Sequence, residues 1–152
     1  MSAEEPIYTK PFLKWAGNKF RIIDRVDGII EKYRGRRSKY IEPFGGSGAV
    51  VINVGRRFTG LKTYAEFNPE LVALMRAIKD DLSGLIEKTA ELFDPKNNES
   101  KRYYELRDEF NYYVKSGETG NVRNSALFIY LNRHCFNGLC RYGPNGFNVP
   151  FG

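Results

Sequence analysis

The chain has 152 residues, 41% of them apolar, and a net charge of +6 with its single histidine neutral. That length and composition suit one domain with its own core and exclude a disordered chain. No apolar run approaches the ~20 residues of a membrane-spanning helix, and the acidic start Met1–Glu5 lacks the layout of a signal peptide. In chain order, Pro6 to Pro11 read as an extended lead-in, followed by a polar loop from Trp15 to Lys19. Ile22, Ile23, Val26, Ile29, Ile30 and Tyr33 then recur with helical spacing, ended by Gly35 and Arg36-Arg37. Lys39–Glu42 is a short predicted strand closed by Pro43; Gly45, Gly46 and Gly48 form a loop; Ala49–Val54 reads as a helix. Leu61–Phe67 is a second predicted strand. Asn68-Pro69-Glu70 is a helix start, with cap, proline and first-turn acid, and Leu71, Leu74, Met75, Ile78, Leu82, Leu85 and Ile86 predict one continuous helix face. After a loop at 94–98, Tyr103, Leu106, Phe110, Tyr113 and Val114 mark a helix, 116–120 a turn, and 122–133 another helix. From Phe136 onward glycine, asparagine and proline predict loop or hairpin. The order strand, glycine loop, helix, strand, helix is the opening of a doubly wound α/β fold.

Three stretches carry chemistry. In Tyr40–Ala49 the glycines between strand and helix let a ligand approach the backbone, and Glu66 follows Gly45 by 21 residues, at the end of the next strand. A carboxylate at that distance accepts hydrogen bonds from ribose hydroxyls. The spacing G-G-x-G fails the dinucleotide fingerprint, and no G-x-x-x-x-G-K-[ST] occurs. Glu42 opens the loop with a negative charge that disfavours a pyrophosphate but not a cation, which favours S-adenosylmethionine over NAD. A tight turn with a surface acid is the plainer alternative.

The second stretch, Phe12–Lys19, places Trp15, Lys14 and Lys19 on a glycine-containing loop. It is either a cofactor lid or a buried indole with solvated lysines. In the third, Leu131–Pro150, arginines, asparagines and aromatics interleave. The last 32 residues of the chain hold three arginines and no carboxylate, a composition that does not repel a phosphate backbone and is also that of an ordinary basic surface. Arginine reads guanine, asparagine reads adenine, and an apolar side chain can wedge between base steps. His134, Cys135 and Cys140 lack the C-x-x-C pairing of a zinc site. The two cysteines read as reduced cytosolic thiols.

Together these stretches resemble the Dam-type (D12 class) DNA adenine methyltransferases. The resemblance rests on P-F-L-K-W-A-G-N-K at 11–19, Y-I-E-P-F-G-G-S-G-A-V at 40–50, A-E-F-N-P-E-L at 65–71, Y-L-N-R-x-x-F-N-G-L-C-R-Y at 130–142 and F-N-V-P-F-G at 147–152. It implies a Rossmann-like S-adenosylmethionine-dependent methyltransferase fold, in part, with a helical and hairpin DNA-recognition insertion. Residues 1–72 would be the cofactor-binding part and 73–152 the DNA-recognition region, with its hairpin at 136–150. The resemblance places Trp15, Lys19, Phe44, Gly45, Gly46, Ser47, Gly48 and Glu66 at the cofactor. It places Lys14, Arg133, Asn137, Leu139, Arg141 and Tyr142 at double-stranded DNA, with GATC as the expected site. Glu66 stands where the family usually has aspartate, and Asn18 where it usually has glycine. A cytoplasmic, bacterial or phage-encoded enzyme is implied.

One departure bears on catalysis. The family's D-P-P-Y motif follows the F-N-V-P-F-G segment, and no [DNS]-P-P-[YFW] occurs in these 152 residues. A flipped adenine needs its amine held by a side-chain oxygen and a backbone carbonyl and its ring stacked on an aromatic; no residue here is assigned to catalysis. The expectation is an N-terminal portion of such an enzyme, inactive alone, its catalytic part cut off or separately encoded. The alternatives are a non-catalytic DNA- or S-adenosylmethionine-binding module and, further off, a different nucleotide enzyme such as a dehydrogenase.

Overall fold

A computed structural model describes residues 8–152; Pro6, the start of the predicted lead-in, lies outside the described residues. The chain divides into two compact units. One is Gly17–Glu66 with the residues up to Phe12; the other is Leu13–Ala16 with Phe67–Gly152.

In the first unit a 3-10 turn, Lys19–Ile22, leads into helix α1, Ile23–Arg34. Asn18 has φ −56° and caps the turn, its side chain accepting from the Phe20 amide, so this position does not use glycine's freedom. Strand β1 (Tyr40–Glu42) and strand β2 (Lys62–Tyr64) pair in parallel, Ile41 opposite Thr63, across helix α2 (Ala49–Asn53). A parallel pair requires such a crossover connection. The core is small: Ile23, Tyr40, Val50, Val54 and Phe58. It accepts only part of the predicted α1 face. Ile22, Ile29 and Tyr33 are exposed, whereas Asp27 is buried and bonded by Arg57 (2.6 Å) and the Tyr8 hydroxyl (2.8 Å).

The second unit is helical. The continuous helix expected across 69–86 is two helices, α3 (Pro69–Asp80) and α4 (Leu82–Leu92). The chain breaks at Asp81, at φ −150° and ψ 66°, because its carboxylate caps α4 by accepting from the Gly84 amide at 3.0 Å. Periodicity continues through such a break, so the apolar pattern does not register it. Helix α5 spans Ser100–Ser116 and ends at left-handed Gly117; α6 spans Val122–His134, capped by Asn121. Tyr103, Leu106, Phe110, Leu127, Phe128, Tyr130 and Leu131 lie at the centre of this core with Leu71, Leu74 and Leu92. After α6 the chain makes a short antiparallel hairpin, β3 (Tyr142–Gly143) with β4 (Gly146–Phe147). Its base is closed by a bridge between Cys135 and Phe151. Among the described residues no helix is long and apolar enough to cross a membrane.

Candidate functional site

In the first unit the glycine loop runs from Glu42 to Ala49. Gly46 and Gly48 hold the left-handed angles φ +53° and +78°, conformations that side-chain-bearing residues rarely adopt. Gly45 is required for a different reason. A Cβ there would lie 1.9 Å from the Tyr64 ring, whose hydroxyl donates to the Gly46 carbonyl at 2.6 Å. Tyr64 on β2 therefore braces the loop, helped by the bond from the Gly45 amide to the Ala65 carbonyl. Glu66 accepts from the Gly46 amide at 2.7 Å, so the carboxylate that spacing selected does meet the loop. Lys19 reaches the same loop, its ammonium donating to the Phe44 carbonyl. Phe44 itself is 78% exposed.

Two buried oxygens of this loop have no hydrogen-bond partner, Ser47 Oγ and Glu42 Oε1. Glu42 is almost wholly buried; its other oxygen accepts from the Tyr40 hydroxyl at 3.0 Å, and Lys19 Nζ lies 3.7 Å from Oε1. Burial holds the Glu42 carboxyl above the usual carboxylate range, against the pull of Tyr40 and Lys19. Burial, then Glu42, pushes the Tyr40 hydroxyl up; burial, then Glu66, does so for Tyr64. Chemically the loop offers carboxylates and orphaned acceptors. That set suits a ligand bearing positive charge and hydroxyl donors and is unfavourable for a phosphate.

Trp15, predicted at the cofactor, belongs by its contacts to the second unit. Its ring packs edge-on to Phe128 at 6.5 Å. It lines a pocket of about 260 Å³ with Ala16, Asn68, Gly138, Leu139, Cys140 and Tyr142. Lys14 is fixed by buried Asn132, which accepts from the Lys14 amide (2.8 Å) and donates to the Lys14 carbonyl (2.7 Å) and the Gly138 carbonyl (3.2 Å). Lys14 Nζ lies 3.4 Å from the Arg133 carbonyl. The turn Phe136–Gly138 carries Asn137 at φ +54°, and a Cβ on Gly138 would strike the Lys14 side chain. Arg133, Asn137, Leu139, Arg141 and Tyr142 are all exposed on or beside this closed loop. Arg141 is oriented by Asn148, with Nε to Oδ1 at 2.7 Å and Nη2 to the carbonyl at 3.3 Å.

His134 is engaged elsewhere, its Nδ1 2.9 Å from the Tyr130 carbonyl and its ring stacked on Tyr130. Burial raises the Cys135 thiol pKa and pushes that of Cys140 up to about 11, so neither is a ready thiolate. No group of three metal-ligating side chains occurs among the described residues.

Sequence reasoning passed over Tyr64, Asn111 and Asn132, the side chains that hold these loops in place. Asn132 had a signal: one amide ending the apolar run Ala126–Leu131 of a buried helix has to bond something. Phe67 next to Glu66 and Phe136 next to Asn137 are exposed aromatics, at 100% and 51%, which composition alone assigns to a core.

Comparison with known proteins gives a family. A model of the family described as D12 class N6 adenine-specific DNA methyltransferase matches residues 15–152. The chain is 40% identical over 147 residues to a DNA adenine methylase of Haemophilus influenzae, covering 94% of this chain and 47% of the relative. It is 38% identical over 152 residues to the type II methyltransferase M.MjaIII of Methanocaldococcus jannaschii (94% and 52%). It is 38% identical over 146 residues to a DNA adenine methylase of Escherichia coli K12 (94% and 48%). The chain spans about half the length of the curated relatives it matches.

Proposed function

Since this chain belongs to the D12 class N6 adenine-specific DNA methyltransferase family, we propose that it supplies the cofactor and DNA surfaces of an enzyme acting on the exocyclic amine of adenine in duplex DNA, at a GATC-like site. The functional parts are 1–72 for the cofactor, on a Rossmann-like frame, and 73–152 for DNA, with its hairpin at 136–150; the contact-defined units differ from these by Leu13–Ala16 and by residues 67–72. S-adenosylmethionine supplies the methyl group when bound. Glu66 would hold its ribose, and the backbone of Phe44–Gly48 would lie against it. Glu42 would face its positive charge, with Lys19 keeping the loop closed. The observation that carries this reading is the glycine loop between β1 and α2 with two carboxylates on it, Glu66 accepting from the Gly46 amide at 2.7 Å and Glu42 almost wholly buried with Lys19 Nζ 3.7 Å from Oε1; a loop carrying two carboxylates disfavours a pyrophosphate.

On the DNA side, Arg141 would read a base edge, Asn137 and Leu139 would enter the stack, and Lys14, Arg133 and Tyr142 would support them. The acid-free loop gives binding that weakens as salt rises. With no D-P-P-Y in these 152 residues, nothing in them holds the adenine amine, so by themselves they bind without transfer. Among the described residues strand β1 pairs only with β2, and Ile41 is 69% exposed beside a groove of about 420 Å³ lined by Val26, Ile30, Tyr33 and Tyr40. An open edge of that kind accepts a further strand. Such an enzyme works on DNA in the cytoplasm of a bacterial host.

Two measurements test this. Titration calorimetry with S-adenosylmethionine is expected to show binding that Glu66→Ala weakens by about 1.5–3 kcal/mol, the worth of a hydrogen bond to a charged group; equal affinities would remove Glu66 from the site. Tritiated methyl transfer to unmethylated duplex is expected only when a D-P-P-Y-bearing part is added, and turnover by the 152 residues alone would overturn the assignment.

A further inference from the structure

The hairpin β3–β4 is only two residues per strand, too little to hold a shape by itself. Helix α5 holds it from one side. Asn111 donates to the Phe147 carbonyl at 3.0 Å and accepts from the Phe147 amide at 2.7 Å. The Tyr103 hydroxyl donates to the Val149 carbonyl at 2.9 Å. Phe147 and Val149 are both buried in the core of this unit. Alternate residues of an extended segment face opposite ways, so Asn148, between them, faces away from that core and is exposed.

Register then decides what Asn148 meets. Gly143 lies opposite Gly146 and Tyr142 opposite Phe147, which brings Arg141 opposite Asn148; the Asn148 amide donates to the Arg141 carbonyl at 3.1 Å. The side chains close the same pair. Arg141 Nε donates to Asn148 Oδ1 at 2.7 Å, and Nη2 donates to the Asn148 carbonyl at 3.3 Å. A guanidinium is planar and has two forks of parallel N–H groups, Nε with Nη2 and Nη1 with Nη2. Asn148 takes the first, so the second is the one that exposed Arg141 presents. The Asn148 side chain in turn needs room: a Cβ on Gly143 would lie 2.6 Å from its Nδ2. Gly143 does not have a positive φ, so glycine is required there by the space that amide fills and not by backbone conformation.

We propose that Asn148 is a positioning residue for sequence reading, seated by Gly143: it occupies the Nε side of the Arg141 guanidinium and turns the Nη1–Nη2 end to the DNA as a fixed pair of donors for a guanine edge. This rests on the reading that the hairpin meets DNA. Guanine offers O6 and N7 side by side in the major groove, and two parallel N–H groups match them. A guanidinium with no anchor settles as readily on a phosphate, which carries no sequence information. One held beforehand loses less freedom when it binds. Asparagine does this without adding charge. A carboxylate would grip the fork more strongly, but it would put a negative charge into a stretch that has none and that faces phosphates.

The test uses the 152-residue chain and three short duplexes, compared by competition anisotropy at fixed salt. One carries GATC, one has that site scrambled, and one carries GATC with each guanine replaced by 7-deazaguanine, which lacks N7. The wild type is expected to prefer the first duplex to both others. Asn148→Ala and Gly143→Ala are each expected to lower both preferences about fivefold while keeping the affinity for scrambled duplex. The double variant should lose no more than either single one, because both release the same contact. Asn148→Asp, which keeps the acceptor, should keep the preferences and weaken binding to all three duplexes by a similar factor. A second readout needs no DNA. The Arg141 Nε–H resonance should exchange slowly with water in the wild type and in Asn148→Asp, and quickly in Asn148→Ala and Gly143→Ala. The amides of α5 should stay equally protected in all of them, which also shows that the variants fold. Unchanged preferences in Asn148→Ala, losses that multiply in the double variant, or an Nε–H exchange unmoved by Gly143→Ala would overturn the proposal, as would a wild type that prefers GATC but ignores the missing N7. A wild type that binds all three duplexes alike would instead overturn the DNA-reading hairpin, and with it the role given to Asn148, whatever the Nε–H exchange shows.

Discussion

Replacing Asn132 by alanine should do more damage than any single change on the loop surface. Asn132 is 1% exposed and makes three bonds, to the amide and carbonyl of Lys14 and to the carbonyl of Gly138. It ties Leu13–Ala16 and the turn Phe136–Gly138 to the end of α6. Each bond contributes about 1 kcal/mol net, and the backbone groups left without a partner add to the loss, so the expected destabilisation is about 3–4 kcal/mol. In urea that lowers the unfolding midpoint by about 1–2 M at the usual slope for a chain of this size. The stacked pair Phe110 and Phe128, with centroids 6.1 Å apart, is untouched, so helix content should persist below the new midpoint while DNA affinity falls. Asn132→Asp should be at least as harmful, since an ionised carboxylate accepts but cannot donate to the two carbonyls. Urea titrations followed by circular dichroism give the number. A loss below about 1 kcal/mol for Asn132→Ala would refute the reasoning, because water would then be replacing all three bonds.

Glu42 should make cofactor binding depend on pH. Its carboxyl is raised by burial, so as pH falls through that raised value it takes up a proton and its attraction for a cation disappears. Affinity for S-adenosylmethionine should drop above the ordinary carboxylate range, and Glu42→Gln should bind more weakly with a flatter profile; parallel profiles by calorimetry would exclude Glu42. The same shift has a stability sign. A carboxyl raised in the folded state contributes fully below its unfolded pKa, and that contribution is lost as pH rises through the folded value. The urea midpoint of Glu42→Gln should therefore gain on wild type as pH increases. Gly45→Ala should cost about 1–3 kcal/mol by overpacking against Tyr64, a loss partly relieved in combination with Tyr64→Ala; a double-mutant cycle with strictly additive losses would count against the contact. Arg141→Ala should reduce preference for the specific duplex by about 1–3 kcal/mol, whereas equal weakening on every sequence would make Arg141 a phosphate contact.

Local chemistry was enough to read several of these features from the chain. The glycines of 45–48 between a strand and a helix, the carboxylate 21 residues on, and the cap Asn68 with Pro69 each follow from what a few neighbouring residues can do. The five ordered segments name the family for the same reason: each is contiguous. The break at Asp81 was not legible, because a capping carboxylate and a helix-interior carboxylate look alike until Gly84 is found within reach. Nor was the exposure of Ile29 and Tyr33, since periodicity reports which side chains share a face and not whether enough core exists to cover it. The bracing of the glycine loop by Tyr64, the bolt of Asn132 across 118 residues to Lys14, and the hold of Asn111 on the hairpin are long-range pairings. Sequence alone determined which residues could carry cofactor and DNA chemistry; only the folded chain decided which buried amides, hydroxyls and carboxylates hold them still, because a buried polar group finds its partner through tertiary packing rather than by position along the chain.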